Sequence, residues 1–241
     1  MILRRLPDSR FSTVERLWAG HTAIILGGGP SLTQDQFDTV RESCTRPDVH
    51  AIAINASYLK APWAELLYFA DAKFYDWHRL GVAMPGLGMD AAAVRNAFRS
   101  FPGQRCSILH NVGRIDDDSI HLLRNLHGTG NTRGADLISL DPEKIATGRN
   151  SGYQALNISI LAGAAKVLLL GFDGSVDQGG ATHWHGGHPK ATPNSAYEMY
   201  RRAFSEGEKA VKETGVRVLN CSPGTKITAF DRAELRQALS L

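Results

Sequence analysis

The 241-residue chain has no long apolar stretch; runs such as residues 23–26 and 167–170 end after a few residues. A membrane-spanning helix needs about 20 consecutive apolar residues. The start, Met1-Ile2-Leu3-Arg4-Arg5-Leu6, carries two arginines with no apolar segment behind them, so no signal peptide is expected. Cysteine is scarce: Cys44, Cys106 and Cys221 stand far apart without CxxC spacing. An odd, scattered set argues against a disulfide framework or a cysteine zinc site and points to reduced thiols in a cytoplasmic setting. Charge of one sign is lacking as well. The net charge of +3 suits an anionic small ligand and permits nucleic acid without requiring it. No aromatic-basic stripe of the kind that binds single strands is visible.

What is present is an ordinary globular balance, 43% hydrophobic and 21% charged, so a core can form without staples. A chain of this size can hide roughly 70% or more of its unfolded surface. Thr22-Ala23-Ile24-Ile25-Leu26 is a short apolar run ending in glycines, the pattern of a strand buried on both faces. A helix follows to about residue 43, with Ser31 or Thr33 as its N-cap. Further strands are expected at 49–54, 66–70, 107–110, 166–173 and 216–220. Helices are expected at 72–80, 151–163, 194–214 and 232–239, with Gly215 closing the third. Alternating strands and helices predict an α/β fold, a Rossmann-like parallel sheet with helices on both faces. The chain reads as a single domain over residues 1–241. Residues 81–145 are punctuated by Gly86, Gly88, Gly103 and the loops at 116–118 and 128–131. They read as an irregular excursion from the main sheet.

In an open α/β sheet, ligands bind outside the carboxyl ends of the strands. Polar residues accumulate there. The first strand runs into Gly27-Gly28-Gly29-Pro30-Ser31-Leu32, the second into Asn55, the third into Asp71, a later one into Asp173 and the last into Asn220. Gly27, Gly28 and Gly29 would let the backbone approach a phosphate, with Ser31 adding a hydroxyl donor. Neither a P-loop lysine nor the GxGxxG spacing is present. Asn55 suits a nucleobase or ribose edge, or else a turn that bonds its own backbone. Asp71 could hold a ribose hydroxyl, or cap the helix that follows. Asn150, Ser151 and Gly152 precede a helix and offer a second set of free N–H groups, or an ordinary cap.

His183, His185 and His188 fall within one short segment beside Trp184, Gly186, Gly187 and Pro189. An imidazole there could take a proton from an acceptor hydroxyl. Three histidines so placed could also hold a metal or serve structure alone.

These motifs together resemble two related groups. The GGGPSL turn, Ala53-Ile54-Asn55, Asn150-Ser151-Gly152, the run AGAAKVLLLGFD at 162–173 and HWHGGHP at 183–189 are similar to the bacterial sialyltransferases of glycosyltransferase family 42. They are similar also to the MptE-like pterin pyrophosphokinases, and to uncharacterised phage-encoded proteins. The resemblance implies a GT-A-like variant of the Rossmann sheet. It implies that Gly28, Gly29, Ser31, Asn55, Ser151 and Gly152 contact a nucleotide and that His188 is the general base. A metal-independent glycosyltransferase is therefore expected, with a CMP- or UDP-linked sugar as donor substrate. Its acceptor is left open, a glycan or DNA, and a homo-oligomer is compatible with it. The alternative is pyrophosphoryl transfer from ATP, with Mg²⁺ held by Asp71 and Asp173. A phage or cell protein that binds nucleotide or nucleic acid without turnover is the non-enzymatic reading.

Overall fold

The structure is a computed structural model that describes residues 1–108, 113–126, 138–186 and 194–241, with the backbone alone at 194 and 195. A short antiparallel pair, β1 (Leu3–Arg5) and β2 (Ser12–Val14), precedes the main sheet. The chain then runs β3 (Thr22–Leu26), α1 (Gln34–Ser43), β4 (Val49–Ile54), β5 (Leu66–Tyr68), α2 (Ala72–Leu80) and α3 (Ala91–Arg99). Strands β6 (Gln104–Ile108), β7 (Ile120–Asn125) and β8 (Lys144–Ile145) lead to α4 (Ser151–Leu161) and β9 (Lys166–Leu170). The chain finishes with α5 (Asn194–Glu213), β10 (Arg217–Asn220), β11 (Asp231–Arg232) and α6 (Leu235–Ser240).

Among the described residues, the main sheet has nine strands in the order β11-β10-β9-β3-β4-β5-β6-β7-β8, every neighbouring pair parallel. The α/β parallel architecture read from the sequence is the observed one. From β3 the chain winds outward through β8, then α4 carries it back to β9 on the other side of β3. The strand order therefore reverses between β3 and β9, the place where such sheets open a crevice.

Side chains alternate across the sheet because successive Cβ atoms point to opposite faces. Ala23 and Ile25 of β3 pack in one core with Tyr153, Leu156 and Ile158 of α4 and with Phe204 and Val211 of α5. Ile24 and Leu26 pack in the other with Phe37 and Val40 of α1, Phe74 of α2, Phe98 of α3 and Leu235 of α6. Both faces of β3 are covered, which explains its unbroken apolar sequence. After Ser151, every residue of α4 is buried. Its buried polar residues are satisfied there, Asn157 Oδ1 accepting from Ser139 N (3.0 Å) and Ala146 N (2.7 Å).

Residues 81–145 are not an excursion from the sheet. They hold α3, and β6, β7 and β8 extend the main sheet by three parallel strands. The strand expected at 107–110 overlaps the end of β6, its residues 109 and 110 lying outside the described residues. The sequence conceals β7 and β8 because β7 mixes polar and apolar residues (Ile-His-Leu-Leu-Arg-Asn) and β8 is two residues long. The antiparallel N-terminal pair was equally unforeseen. It is fastened by the Gln104 side chain, which accepts from Leu3 N (2.9 Å) and donates to Leu3 O (2.7 Å). The expected terminal helix starts later than 232, because Asp231–Arg232 pairs as β11 and Glu234 caps α6 by accepting from Gln237 N at 2.8 Å. No helix among the described residues is long and apolar enough to cross a membrane.

Candidate functional site

A cleft of about 600 Å³ opens at the carboxyl ends of the strands, over the β3/β9 reversal. One wall is the glycine turn after β3. Its backbone is braced against the neighbouring strand: Gly27 N–H donates to Leu170 O (2.7 Å) and Gly29 N–H to Gly171 O (2.8 Å). This bracing leaves no room for side chains. A Cβ on Gly27 would lie 2.7 Å from Gly171 O, and one on Gly29 would lie 1.9 Å from Asp173 Oδ2. Two of the three glycines are thus required by strand-to-strand packing. All three border the cleft, but Gly28 alone of them has room: among the described residues a Cβ there would meet only His183 Cδ2, at 3.4 Å. No hydrogen bond of the Gly28 N–H occurs among the described residues.

The second wall is the start of α4. Asn150 has its side chain committed to the cap: Oδ1 accepts from Tyr153 N (2.7 Å) and Nδ2 donates to Gly148 O (2.9 Å). The N–H groups of Ser151 and Gly152 are the first two of the helix and have no intrahelical acceptor. Gly152 packs on Phe172, and a Cβ there would lie 2.4 Å from Phe172 Cε1. The positive end of the α4 dipole is therefore brought to the β9 turn, facing the glycine turn across the crevice.

Asn55 and Asp71 line the floor of the cleft. Asn55 holds a left-handed backbone, φ +49°, and its buried Oδ1 has no hydrogen-bond partner among the described residues. Asp71 caps α2 through a bond from Lys73 N (2.8 Å), so the capping reading holds for it while it also borders the cleft. Asp173 is 7% exposed, and burial raises its carboxyl above the usual carboxylate range, although contacts with Ser31 pull the other way.

Ser31 does not reach this cleft. It borders a separate depression beside Cys221 and Glu234, and its N–H faces Asp173 Oδ2 at 3.4 Å. Thr33, not Ser31, caps α1, accepting from Gln36 N (3.3 Å). Asn220 is likewise structural: its buried Nδ2 donates to Phe172 O (3.3 Å) and Thr225 Oγ1 (3.0 Å).

His183 and His185 close the cleft from the side of the glycine turn, with rings 5.1 Å apart and stacked. Their segment is anchored by Trp184. Its N–H donates to Gly28 O and its Nε1 to Ser57 Oγ, both at 3.3 Å, and its ring meets Phe37 edge-on at 5.1 Å. Ser57 in turn donates to Gly27 O at 2.5 Å. His188 lies outside the described residues.

Several cleft residues escaped the sequence reading. Tyr197 and Tyr200 stand three apart on α5, the spacing of one helix face. Burial and the Asp71 carboxylate raise the Tyr200 phenol above its ordinary value. Arg149, at φ +53°, supplies a cation next to the α4 cap. Asn125, at the end of β7, was hidden with its strand. Among the described residues, no group of three or more His, Cys, Asp and Glu is placed to hold a metal ion.

No family model and no curated protein matches this chain. Among solved structures, it is similar to the MAf glycosyltransferase from Magnetospirillum magneticum AMB-1, with a TM-score of 0.56 and 13% identity. That match covers 97% of this chain and 36% of the other, so this chain spans about a third of its neighbour's length. The likeness is one of fold: the chain has a glycosyltransferase-like α/β architecture.

Proposed function

We propose that this chain is a transferase that uses a nucleotide-activated donor, a glycosyltransferase with a histidine general base. The reading rests on the convergence at the β3/β9 reversal. There the α4 N–H groups of Ser151 and Gly152 and the open N–H of Gly28 face one cleft, with His183 and His185 on its rim. The neighbouring structure carries the name of a glycosyltransferase. At 13% identity it supports the fold from which the reading starts.

In this scheme the backbone donors and Arg149 hold the donor's phosphate. A histidine of the 183–188 segment removes the proton from an acceptor hydroxyl. The acceptor oxygen forms its bond to the anomeric carbon as the bond from that carbon to the phosphate oxygen breaks. The electron pair leaves with the nucleotide, whose charge the fixed N–H dipoles stabilise. These dipoles replace a metal in neutralising the leaving group, so transfer proceeds without one. The donor is a CMP- or UDP-linked sugar.

A melting panel of CMP, UDP, GDP, ATP and their sugar conjugates, with Mg²⁺ and with EDTA, tests this. A ligand at a hundred times its Kd stabilises by about 2.7 kcal/mol, a shift easily read. If none of these compounds moves the transition, the reading fails. Activity that disappears in EDTA would instead favour pyrophosphoryl transfer, with Asp71 and Asp173 as carboxylates. His183→Gln, His185→Gln and His188→Gln, assayed separately, identify the base as the variant that loses kcat while keeping donor affinity.

A further inference from the structure

Asn125 ends β7 with 7% of its surface exposed, and it lines the same cleft. Its Oδ1 is buried without a hydrogen-bond partner among the described residues. Folded proteins seldom leave a buried amide oxygen unsatisfied, and such a group calls for a ligand or water to complete it. Alternation along β7 places Asn125 on the same face as Leu123, the side of the sheet covered by α4. Ile108, ending the adjacent β6, and Gln154 of α4 border the cleft from that side too, Gln154 being held by the Tyr68 hydroxyl at 2.9 Å.

A second amide oxygen without a partner among the described residues, Asn55 Oδ1, lies in the same cleft just beyond β4. β4 and β7 are separated by β5 and β6. Three strand spacings, with Asn125 three residues further along the strand direction than the level of Asn55, put the two asparagines about 17 Å apart. No lone phosphate spans such a distance. An extended ligand with a polar group well away from its phosphate does.

We propose that Asn125 selects the uncharged end of the ligand, its Oδ1 accepting a hydrogen bond from an N–H or O–H group remote from the phosphate. A neutral donor fits because burial disfavours a charged one. This inference rests on the nucleotide reading above. Two parts of a nucleotide-sugar carry the required chemistry: an amino group on the base, or a hydroxyl or N-acyl N–H on the sugar.

The test uses the full chain and Asn125→Leu, with CMP, UMP, UDP, CMP-N-acetylneuraminate and UDP-N-acetylglucosamine as probes. CMP and UMP differ where an amino donor replaces a carbonyl, so their ratio reports on the base. Each conjugate against its parent nucleotide reports on the sugar. The leucine variant is expected to melt no lower than the parent protein, since Oδ1 has no hydrogen bond to lose among the described residues. One of the two preferences is expected to fall about ten-fold, the size of one buried hydrogen bond, while the bare nucleotide that lacks the group binds unchanged. A base assignment follows from a collapsed CMP/UMP ratio, a sugar assignment from a collapsed conjugate advantage. A variant that melts several degrees lower shows Asn125 to be structural and overturns the inference. So does nucleotide binding without any preference that depends on Asn125, which leaves the nucleotide reading standing. If no probe binds the parent protein, both fall together.

Discussion

Gly29 and Asp173 face one another across the β3/β9 reversal so closely that a methyl group on Gly29 would lie 1.9 Å from Asp173 Oδ2 and 2.6 Å from Gly171 O. The two turns that bound the crevice are therefore one packed unit. Gly29→Ala should destabilise the fold by about 1–3 kcal/mol, the usual range for overpacking a tight site. Gly28→Ala meets only an ordinary contact with His183 and should leave the melting temperature almost unchanged while weakening nucleotide binding. Melting curves and titrations on the two variants separate packing from ligand contact. Equal stability losses at both positions would contradict this division of labour.

The buried carboxyl of Asp173 has a measurable consequence for stability. Its folded pKa is raised by burial above the unfolded value of 3.8. Below the folded pKa the native state takes up a proton before the unfolded state does, so this group's contribution improves as pH falls through the folded pKa toward 3.8. At neutral pH it is a cost. Asp173→Asn keeps an oxygen to accept from Ser31 N–H and should melt at or above the parent protein at pH 7. The gap should close as the pH approaches 4. A loss of several degrees at pH 7 would show that the ionised carboxylate is needed by the fold.

The His121 ring works in the opposite direction. Gln104 Nε2 contacts its Nε2 (3.1 Å) and Ser12 Oγ its Nδ1 (2.8 Å), tying the N-terminal strand pair to β7. Because Gln104 Nε2 can only donate, the ring is neutral, and burial with the nearby Arg5 lowers its pKa to about 4. The unfolded ring, at about 6.5, binds the proton first. Stability is thus complete above pH 6.5 and falls as the pH drops from 6.5 to 4. The slope is at most about 1.4 kcal/mol per pH unit, reduced by solvent screening of a partly exposed ring. Chemical denaturation across this window should show a shallower pH slope in His121→Gln. An unchanged slope would assign the acid sensitivity elsewhere.

Asn150 should prove a positioning residue for α4. Both ends of its side chain are used by the cap. Asn150→Ala should cost about 0.5–2 kcal/mol, and Asn150→Asp, which keeps the accepting oxygen, should recover much of it. Nucleotide affinity should track helix stability across the two variants. If Asn150→Ala lost affinity with no change in melting, the side chain would have to touch ligand directly.

Much of the sheet was legible because local patterns and tertiary burial agree. The strands β3 and β4, and helix α2, lie at the residues where their apolar runs and caps placed them, since Asp71 caps whatever helix follows it and Thr22–Leu26 can be stable only between two helical layers. The lining of the cleft was legible where such a strand ends in glycines or a polar residue, as at Gly28, Asn55, Asp71 and Asp173. It was not legible at Asn125, whose strand has no clean period, nor at Ser31, whose neighbour Thr33 completes the capping box with Gln36.

By itself the sequence determined the alternation of elements, the parallel sheet and the pole at which polar residues collect, because these follow from spacing along the chain. The glycine turn illustrates what remained for the tertiary structure to decide. Spacing marks three glycines after a strand, yet only the neighbouring turn from β9 dictates that Gly27 and Gly29 are packed too tightly for a side chain while Gly28 has room. The same holds for α4, whose first N–H groups become part of a candidate site because the crossover from β8 to β9 returns them to the crevice. Contacts between segments far apart in sequence carry no local signature, so residues such as Asn125, Arg149 and Tyr200 take their place in the cleft only once the sheet is assembled.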